Sequence, residues 1–451
     1  MPINPSIFKA YDIRGIVGTE ITEETARALG RAFGRWLRRK GEAVPRVVLG
    51  RDCRMLSVEL MEALAQALMA EGVDVIAAGI TPSPMHYWIV GSEGADGGIL
   101  VTASHNAKEY NGFKLTSRGV VPVDGAMIRQ VVAEADDEAG PPSRPGKIAR
   151  RDYLADFAKR YTLPALRRSY RIVIDASSGV SGEAFSAILR QSPEITLIPL
   201  NFKPDPSFPA HEPNPVAPHA TDELTNQIRA HGADMGAIVD GDGDRILFAD
   251  ETGTIRYGDE WGSLFIQETL SAKAGAPIVV TAAAGRMLLQ TIAEFGGKAV
   301  VSKVGHTFIK KAMREVDAPL GVEFNGHFYF RENFYTEDSY AALTLLIRIL
   351  DRSNEPSSKL TVPFRRYARS RDLVFHVRDA TTLIQELNRR YRQYDESELD
   401  GISVVGPKWW FHLRPSNTEP VVRFNADADD PGSLESLTTE ILALIRQYES
   451  S

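Results

Sequence analysis

Arg46-Val-Val-Leu-Gly50 is a short apolar run. It is followed by the polar Arg51-Asp52-Cys53-Arg54 and then by a segment near 57–71, where Leu60, Leu64 and Leu68 recur with Met61 and Met69 beside them. The run predicts a buried strand, and the spacing of the leucines predicts a helix with one apolar stripe. Val73–Ala77 supplies a second strand. The order strand, polar loop, helix, strand returns at Arg171-Ile-Val-Ile-Asp175, with the loop Ser177-Ser178-Gly179, helix positions Phe185, Ile188 and Leu189, and strand Ile195–Ile198. It returns again at Pro277-Ile-Val-Val280, with the loop Thr281–Gly285, helix positions Leu288, Ile292 and Phe295, and strand Ala299–Ser302. Strands alternating with helices imply βαβ units, and repetition at domain spacing implies three related α/β domains.

Working outward, Asp136-Asp-Glu-Ala-Gly-Pro-Pro-Ser-Arg-Pro-Gly146 reads as a linker, with further breaks near Thr252-Gly253 and Ser353–Ser358. The remainder differs in pattern. A strand (Leu373–Val377), a helix (Thr381–Tyr394), strands near 402–405 and 421–424 and a closing helix (Leu434–Tyr448) predict a small α+β domain. The expected fold is therefore α/β: three related domains with mixed sheets, over 1–146, 147–252 and 253–360, and a C-terminal α+β domain over 361–451. One further helix is well punctuated. Thr22 can cap it, Glu23 and Glu24 fall in its first turn, Arg38-Arg39-Lys40 in its last, and Gly41 can close it.

The chain's 451 residues exceed one ordinary core, and 25% charged with 43% hydrophobic residues is a soluble globular mix. A net charge of −7 argues against nucleic acid as the main partner but leaves room for a local basic pocket. The single cysteine, Cys53, rules out an intrachain disulfide framework and fits a reducing cytosol, so a cytoplasmic location is expected. The N-terminus has no basic-then-apolar signal, and no uncharged apolar run approaches membrane-spanning length, so no membrane partner is expected.

Four motifs carry chemistry. Gly98-Ile99-Leu100-Val101 predicts a buried strand that ends in Thr102-Ala-Ser104-His105-Asn106, with Lys114 close in sequence. A serine at such an end, little covered by its small neighbours, is a candidate nucleophile, although a turn serine would look the same. Asp240-Gly-Asp242-Gly-Asp244-Arg245 has the alternate spacing of a calcium loop. However, Arg245 stands where the sharp turn of an EF-hand needs glycine, and the flanks Met235–Val239 and Ile246–Ala249 read as strands. Three acids in five residues would repel without a counter-ion, so the loop is expected to gather Mg²⁺ rather than serve as an acidic turn. Arg414-Pro-Ser416-Asn417-Thr418-Glu-Pro420, with Arg423 on the next strand, reads as an anion cradle or as an ordinary polar turn. Glu323, Asn325 and His327 alternate, so on an extended segment they would face one side and could bind sugar hydroxyls; a polar edge strand is the plainer alternative. His306, in Lys303-Val-Gly-His306, and the segment Phe8–Gly15 put basic groups beside glycines and are weak singly.

Taken together these residues resemble the α-D-phosphohexomutase superfamily, and most closely its bacterial phosphomannomutase/phosphoglucomutase branch. The matching segments are Tyr11–Gly15, Thr102–Asn106, Asn111–Lys114, Asp240–Arg245, Val304–His306, Glu323–His327 and Arg414–Pro420. They occur in family order over essentially the whole chain. The resemblance implies four domains around a central cleft, and interconversion of hexose 1-phosphate and 6-phosphate, on mannose and/or glucose, through a phosphoserine and a hexose 1,6-bisphosphate. It assigns Ser104 as the phosphoserine and places Mg²⁺ on Asp240, Asp242, Asp244 and the Ser104 phosphate. It puts Arg14, Tyr11 and Arg245 around the reaction centre with His105 beside them, and makes Lys114 and His306 acid/base candidates. Glu323, Asn325 and His327 would read the sugar, while Arg414, Ser416, Asn417, Thr418 and Arg423 would grip the phosphate that is not reacting. A phosphorylated hexose is the expected partner, hexose 1,6-bisphosphate the expected activator, and a monomer or weak homodimer the expected state. Ala107, Ala283, Val322 and Asn325 depart from common family residues. Asn325 in particular resembles the acetylglucosamine-phosphate mutases, which with phosphoglucosamine mutases form the alternative within the class. A non-catalytic sugar-phosphate-binding paralogue is the alternative outside it.

Overall fold

A computed structural model describes residues 4–41, 44–134, 142–370, 372–416 and 421–449. By backbone contacts the chain falls into two compact units: Met1–Gly258 with Asn325–Leu360, and Asp259–Phe324 with Thr361–Ser451.

The first unit holds two sheets. In the larger, the parallel strands Gly97–Val101, Arg46–Arg51 and Asp74–Ile80 lie side by side, and Tyr110–Ser117 and then Ile13–Ile16 add antiparallel to the Gly97 edge. The apolar runs read from the sequence form the buried middle of this sheet: Val47, Val48, Leu49, Ile99, Leu100 and Val101 have no exposed surface. The helices Glu23–Arg39 and Ser57–Ala70 pack on it and on each other. They approach closely at Gly30, where a Cβ would lie 2.9 Å from that of Ala67. Thr22 accepts the N–H of Thr25 at 3.2 Å and Gly41 turns out of the helix at φ +94°, as the punctuation predicts.

In the second sheet Met235–Val239 runs parallel to Tyr170–Asp175 and antiparallel to Ile246–Asp250. The Asp240–Arg245 loop is thus the tight connection between paired antiparallel strands. The helix Ser339–Ser353, capped by Asp338, also belongs to this unit. Its Tyr340 ring packs 4.5 Å from that of Phe185 and 5.3 Å from that of Phe157.

In the second unit Pro277–Thr281 lies between the parallel strands Lys298–Ser302 and Leu320–Val322. The C-terminal segment forms an antiparallel sheet in which Val421–Ala428 pairs with Trp409–Pro415, which pairs in turn with Ile402–Val405. The helices Ala380–Tyr391 and Pro431–Ile445 bury Leu383, Leu387, Leu437 and Ile441 in one core with Ile402, Phe411 and Phe424. This is the predicted α+β domain. Among the described residues no helix is long and apolar enough to cross a membrane.

Two segments near the motifs differ from the sequence reading. Tyr110–Ser117, which the sequence pattern does not mark as an element, is a strand buried on both faces, and its polar Asn111, Lys114 and Thr116 hide the period. Glu323–His327 is expected to be extended but is a turn at Gly326, φ +94°, where a Cβ would meet the Ile246 carbonyl oxygen at 2.5 Å. Alternate residues in that turn do not share a face.

Candidate active site

The acidic loop is buried: Asp240 and Asp242 have no exposed surface and Asp244 has 4%. One carboxylate oxygen from each lies within 4.8 Å of the others. Three buried carboxylates so close need compensation, and the strand Tyr110–Ser117 supplies it. Lys114 Nζ donates to Asp242 Oδ2 at 2.7 Å and to Asp244 Oδ2 at 2.5 Å. Burial disfavours the ammonium, but Asp242 and Asp244 outweigh it and hold Lys114 well above its ordinary range. Asp244 is also pushed up by burial, yet Lys114 and His327 bring it well below the usual carboxylate range. Asp240 is driven the other way, upward, by burial and then by Asp244 and Asp242. Ser83, at the start of the helix Ser83–Ser92, donates its hydroxyl to Asp242 Oδ2 at 2.7 Å and its backbone N–H to the Asp242 carbonyl at 2.8 Å. Asp242 Oδ1, also buried, has no hydrogen-bond partner among the described residues. An all-oxygen donor set with one buried oxygen left over fits a hard divalent cation.

Ser104 follows the buried strand and is itself 2% exposed. Its Oγ donates to Asp240 Oδ2 at 2.9 Å and lies 3.1 Å from His105 Nδ1. The backbone at Ser104 has φ +53°, a left-handed conformation unusual for serine. Arg14 lies beside it, bonded to both oxygens of Asp12 and donating to Asn106 Oδ1 at 2.5 Å and the Ala103 carbonyl at 3.3 Å. Tyr11, three residues earlier, is half-buried. Arg245 Nε donates to His327 Nε2 at 3.1 Å, and its Nη2 is 3.4 Å from His105 Nε2. Burial first, then Arg245 and Arg14, push His105 well below its ordinary range.

The first unit therefore brings together Ser104, His105, Lys114, Arg14, Asp240, Asp242, Asp244, Arg245 and His327. His327 is 3.2 Å from Asp244 Oδ1, so it turns to the acidic loop rather than standing in a row with Glu323 and Asn325. Asn325 belongs to the same unit, and its Oδ1 is buried without a hydrogen-bond partner among the described residues. Glu323, His306, Arg414, Ser416 and Arg423 belong to the second unit. There Arg414 and Arg423 face each other directly across the paired strands, and Arg423 donates to Asp372 Oδ2 at 2.6 Å. Ser416 N–H donates to the Val421 carbonyl at 2.8 Å. Asn417 and Thr418 lie outside the described residues.

Models of the phosphoglucomutase/phosphomannomutase α/β/α domains I, II and III match residues 5–140, 151–253 and 257–367, and that of the C-terminal domain matches 376–444. The chain belongs to the phosphoglucomutase/phosphomannomutase family. It is 32% identical to a phosphomannomutase of Methanocaldococcus jannaschii, over 99% of this chain and 98% of that one. It is 33% identical to the phosphomannomutase/phosphoglucomutase of Pseudomonas aeruginosa, over 99% and 96%. A crystal structure of a family protein from Burkholderia thailandensis superposes with a TM-score of 0.90 at 31% identity, covering 99% of this chain and 98% of that one. The chain is accordingly an enzyme of the hexose-phosphate mutase class. Sequence reading missed three residues of the site. Ser83 and Thr102 support Asp242, with Thr102 Oγ1 3.3 Å from Oδ2. Arg54 holds the serine loop from behind. Thr102 opens the serine motif but its bond to Asp242 is not visible there, and Ser83 and Arg54 carry no signature in one sequence, because these partners are 50 to 159 residues away.

Proposed function

We propose that this enzyme interconverts the 1-phosphate and 6-phosphate of mannose and/or glucose, with Ser104 as the group that gives and takes back the phosphoryl. The reading rests on one observation above all: Ser104 Oγ is 2.9 Å from a carboxylate of the converged acidic triad. In the forward half-reaction the bond from phosphorus to Ser104 Oγ breaks and a bond to a sugar hydroxyl oxygen forms, while the hydroxyl proton passes to a base. The resulting hexose 1,6-bisphosphate then returns its other phosphate to Ser104. Asp240, Asp242, Asp244 and a phosphate oxygen on Ser104 would hold Mg²⁺, which supplies positive charge for the phosphoryl oxygens. Arg14 and Arg245 add two fixed guanidiniums beside the same serine.

Lys114 and His306 are the proton carriers proposed, with Lys114 supplying a proton rather than taking one while both aspartates hold it. Tyr11, His105, Glu323, Asn325 and His327 are assigned to sugar-phosphate recognition. Arg414, Ser416, Asn417, Thr418 and Arg423 are assigned to the distal phosphate. Arg414 and Arg423 stand directly opposite on paired strands, Asp372 holding Arg423, so two guanidiniums fall together where an anion would bind. Hexose 1,6-bisphosphate is the proposed activator, because it restores phosphate to an empty Ser104. The four-part division 1–146, 147–252, 253–360 and 361–451 assigns one of these tasks to each part.

A second sugar is favoured by Asn325, whose buried Oδ1 has no hydrogen-bond partner among the described residues and could accept an acetamido N–H. Coupled assays of mannose, glucose, glucosamine and N-acetylglucosamine 1-phosphates, primed with the matching bisphosphate, decide between them. The proposal expects mannose or glucose to turn over fastest, and Ser104→Ala to fold and to lose all turnover. Turnover by that variant would defeat the proposal.

A further inference from the structure

Arg54 lies in the turn between the strand Arg46–Arg51 and the helix Ser57–Ala70, and it is 3% exposed. A guanidinium has five N–H donors in a rigid fork. Here four of them, on Nη1 and Nη2, donate to carbonyls of the serine loop, and Nε makes an ion-pair contact only. Nη2 donates to the carbonyl oxygens of Ser104 at 2.7 Å and Asn106 at 2.6 Å. Nη1 donates to those of Ala107 at 2.8 Å and Tyr110 at 3.1 Å. Nε is 3.2 Å from Asp52 Oδ2, while Asp52 Oδ1 takes the Arg54 N–H at 2.9 Å and the Ser57 hydroxyl at 2.8 Å. One buried side chain therefore fixes the carbonyls on both sides of the loop's turn.

That matters because Ser104 sits in a sparsely populated backbone conformation, φ +53°. Such a conformation persists only where its surroundings over-determine it. The Ser104 carbonyl also lies against the acidic loop, since a Cβ on Gly241 would be 2.8 Å from it. Fixing this carbonyl fixes the distance from Ser104 Oγ to Asp240. Arg54 touches neither Oγ nor the triad's carboxylate oxygens, so its effect runs through the backbone.

We infer that Arg54, backed by Asp52, is a positioning residue that holds the Ser104 loop in the geometry for phosphoryl transfer. This rests on Ser104 being the phosphoryl carrier, as proposed above. Lysine keeps the charge but offers a compact point donor that cannot span four carbonyls.

The test compares wild type, Arg54→Lys and Ser104→Ala in three measurements. These are the rate of Ser104 phosphorylation by glucose 1,6-bisphosphate, followed by intact mass; kcat and KM separately; and Mn²⁺ affinity. A misplacement of about 1 Å costs on the order of 10²-fold in rate. Arg54→Lys should therefore slow phosphorylation and kcat by about 10²-fold, with KM and Mn²⁺ affinity within about threefold of wild type. A slowing of less than about tenfold, or a parallel loss of Mn²⁺ affinity, overturns the inference. If Arg54→Lys does not fold, Asp52→Asn replaces it under the same tenfold criterion, and Asp52→Asn at the wild-type rate overturns the inference. Turnover in Ser104→Ala would instead defeat the underlying assignment, so the two failures are distinguishable.

Discussion

Lys114 is the only lysine that pairs with the acidic triad among the described residues, and removing it has a consequence that depends on the metal. In Lys114→Met the ammonium goes while the volume stays. At separations of 2.7 and 2.5 Å, each pair carries a gross attraction of about 6 kcal/mol at an effective dielectric of ~20, before the cost of burying the ammonium is subtracted. Removing one partner of a buried pair costs about 3–5 kcal/mol, because the other charge is left alone. Here two carboxylates lose their partner, with Asp240 next to them. Chelator-treated Lys114→Met should therefore be less stable than wild type by about 3–5 kcal/mol. Mg²⁺ at about 100 times its Kd returns ~2.7 kcal/mol, and in the variant it meets three carboxylates with no competing ammonium. The variant should thus bind Mn²⁺ or Mg²⁺ more tightly than wild type while turning over poorly. The assay is urea unfolding with and without Mg²⁺, paired with a Mn²⁺ titration. A stability gap that Mg²⁺ leaves unchanged, or weaker metal binding in the variant, would refute the idea that Lys114 is the counter-ion of the metal-free site.

Ser83→Ala removes the hydroxyl that fixes Asp242 Oδ2, 2.7 Å away; lost support behind a metal ligand costs about 10–100-fold in metal affinity, and Ser83→Thr should recover part of it, as a Mn²⁺ titration would show. Gly112→Ala would put a Cβ 2.0 Å from the Ile13 carbonyl oxygen, in the strand pair that carries Arg14. Overpacking of that kind costs about 1–3 kcal/mol in urea unfolding, with lower kcat as Arg14 shifts; unchanged stability and activity would contradict it. His211 is lowered by burial, but its hydrogen bond to Asp175 at 3.1 Å outweighs this and raises it above the ordinary 6.5. A raised value means the stabilisation is complete below about pH 6.5 and fades as pH climbs through the folded-state value. The stability lost in His211→Gln should therefore be larger at about pH 5.5 than at pH 8.5, and the reverse order would rule this out.

Much of the fold was legible because its central strands are buried on both faces and so appear as unbroken apolar runs, as at Val47–Leu49 and Ile172–Ile174. The acidic loop was legible for an electrostatic reason: three aspartates at alternate positions between two strands have few stable fates other than convergence. What escaped depends on distance in space. Tyr110–Ser117 was hidden by the polar residues it carries into the interior, and Lys114 is one of them. Its role as counter-ion needs the pairing Leu100↔Lys114, which no local pattern supplies. The Glu323–His327 segment was misread because alternation was weighed without Gly326, whose close approach to Ile246 bends the chain and sends His327 toward Asp244. Ser83 and Arg54 look like an ordinary helix start and an ordinary loop arginine until their distant partners are known.

The central claim is that Ser104 carries the phosphoryl group in every turnover. Rapid-quench mass analysis of phosphorylated enzyme mixed with mannose 1-phosphate or glucose 1-phosphate tests it most directly. The account predicts that one phosphate leaves the Ser104 peptide at least as fast as kcat and is restored as the bisphosphate is consumed. Turnover that proceeds while the Ser104 peptide never gains or loses phosphate would contradict it.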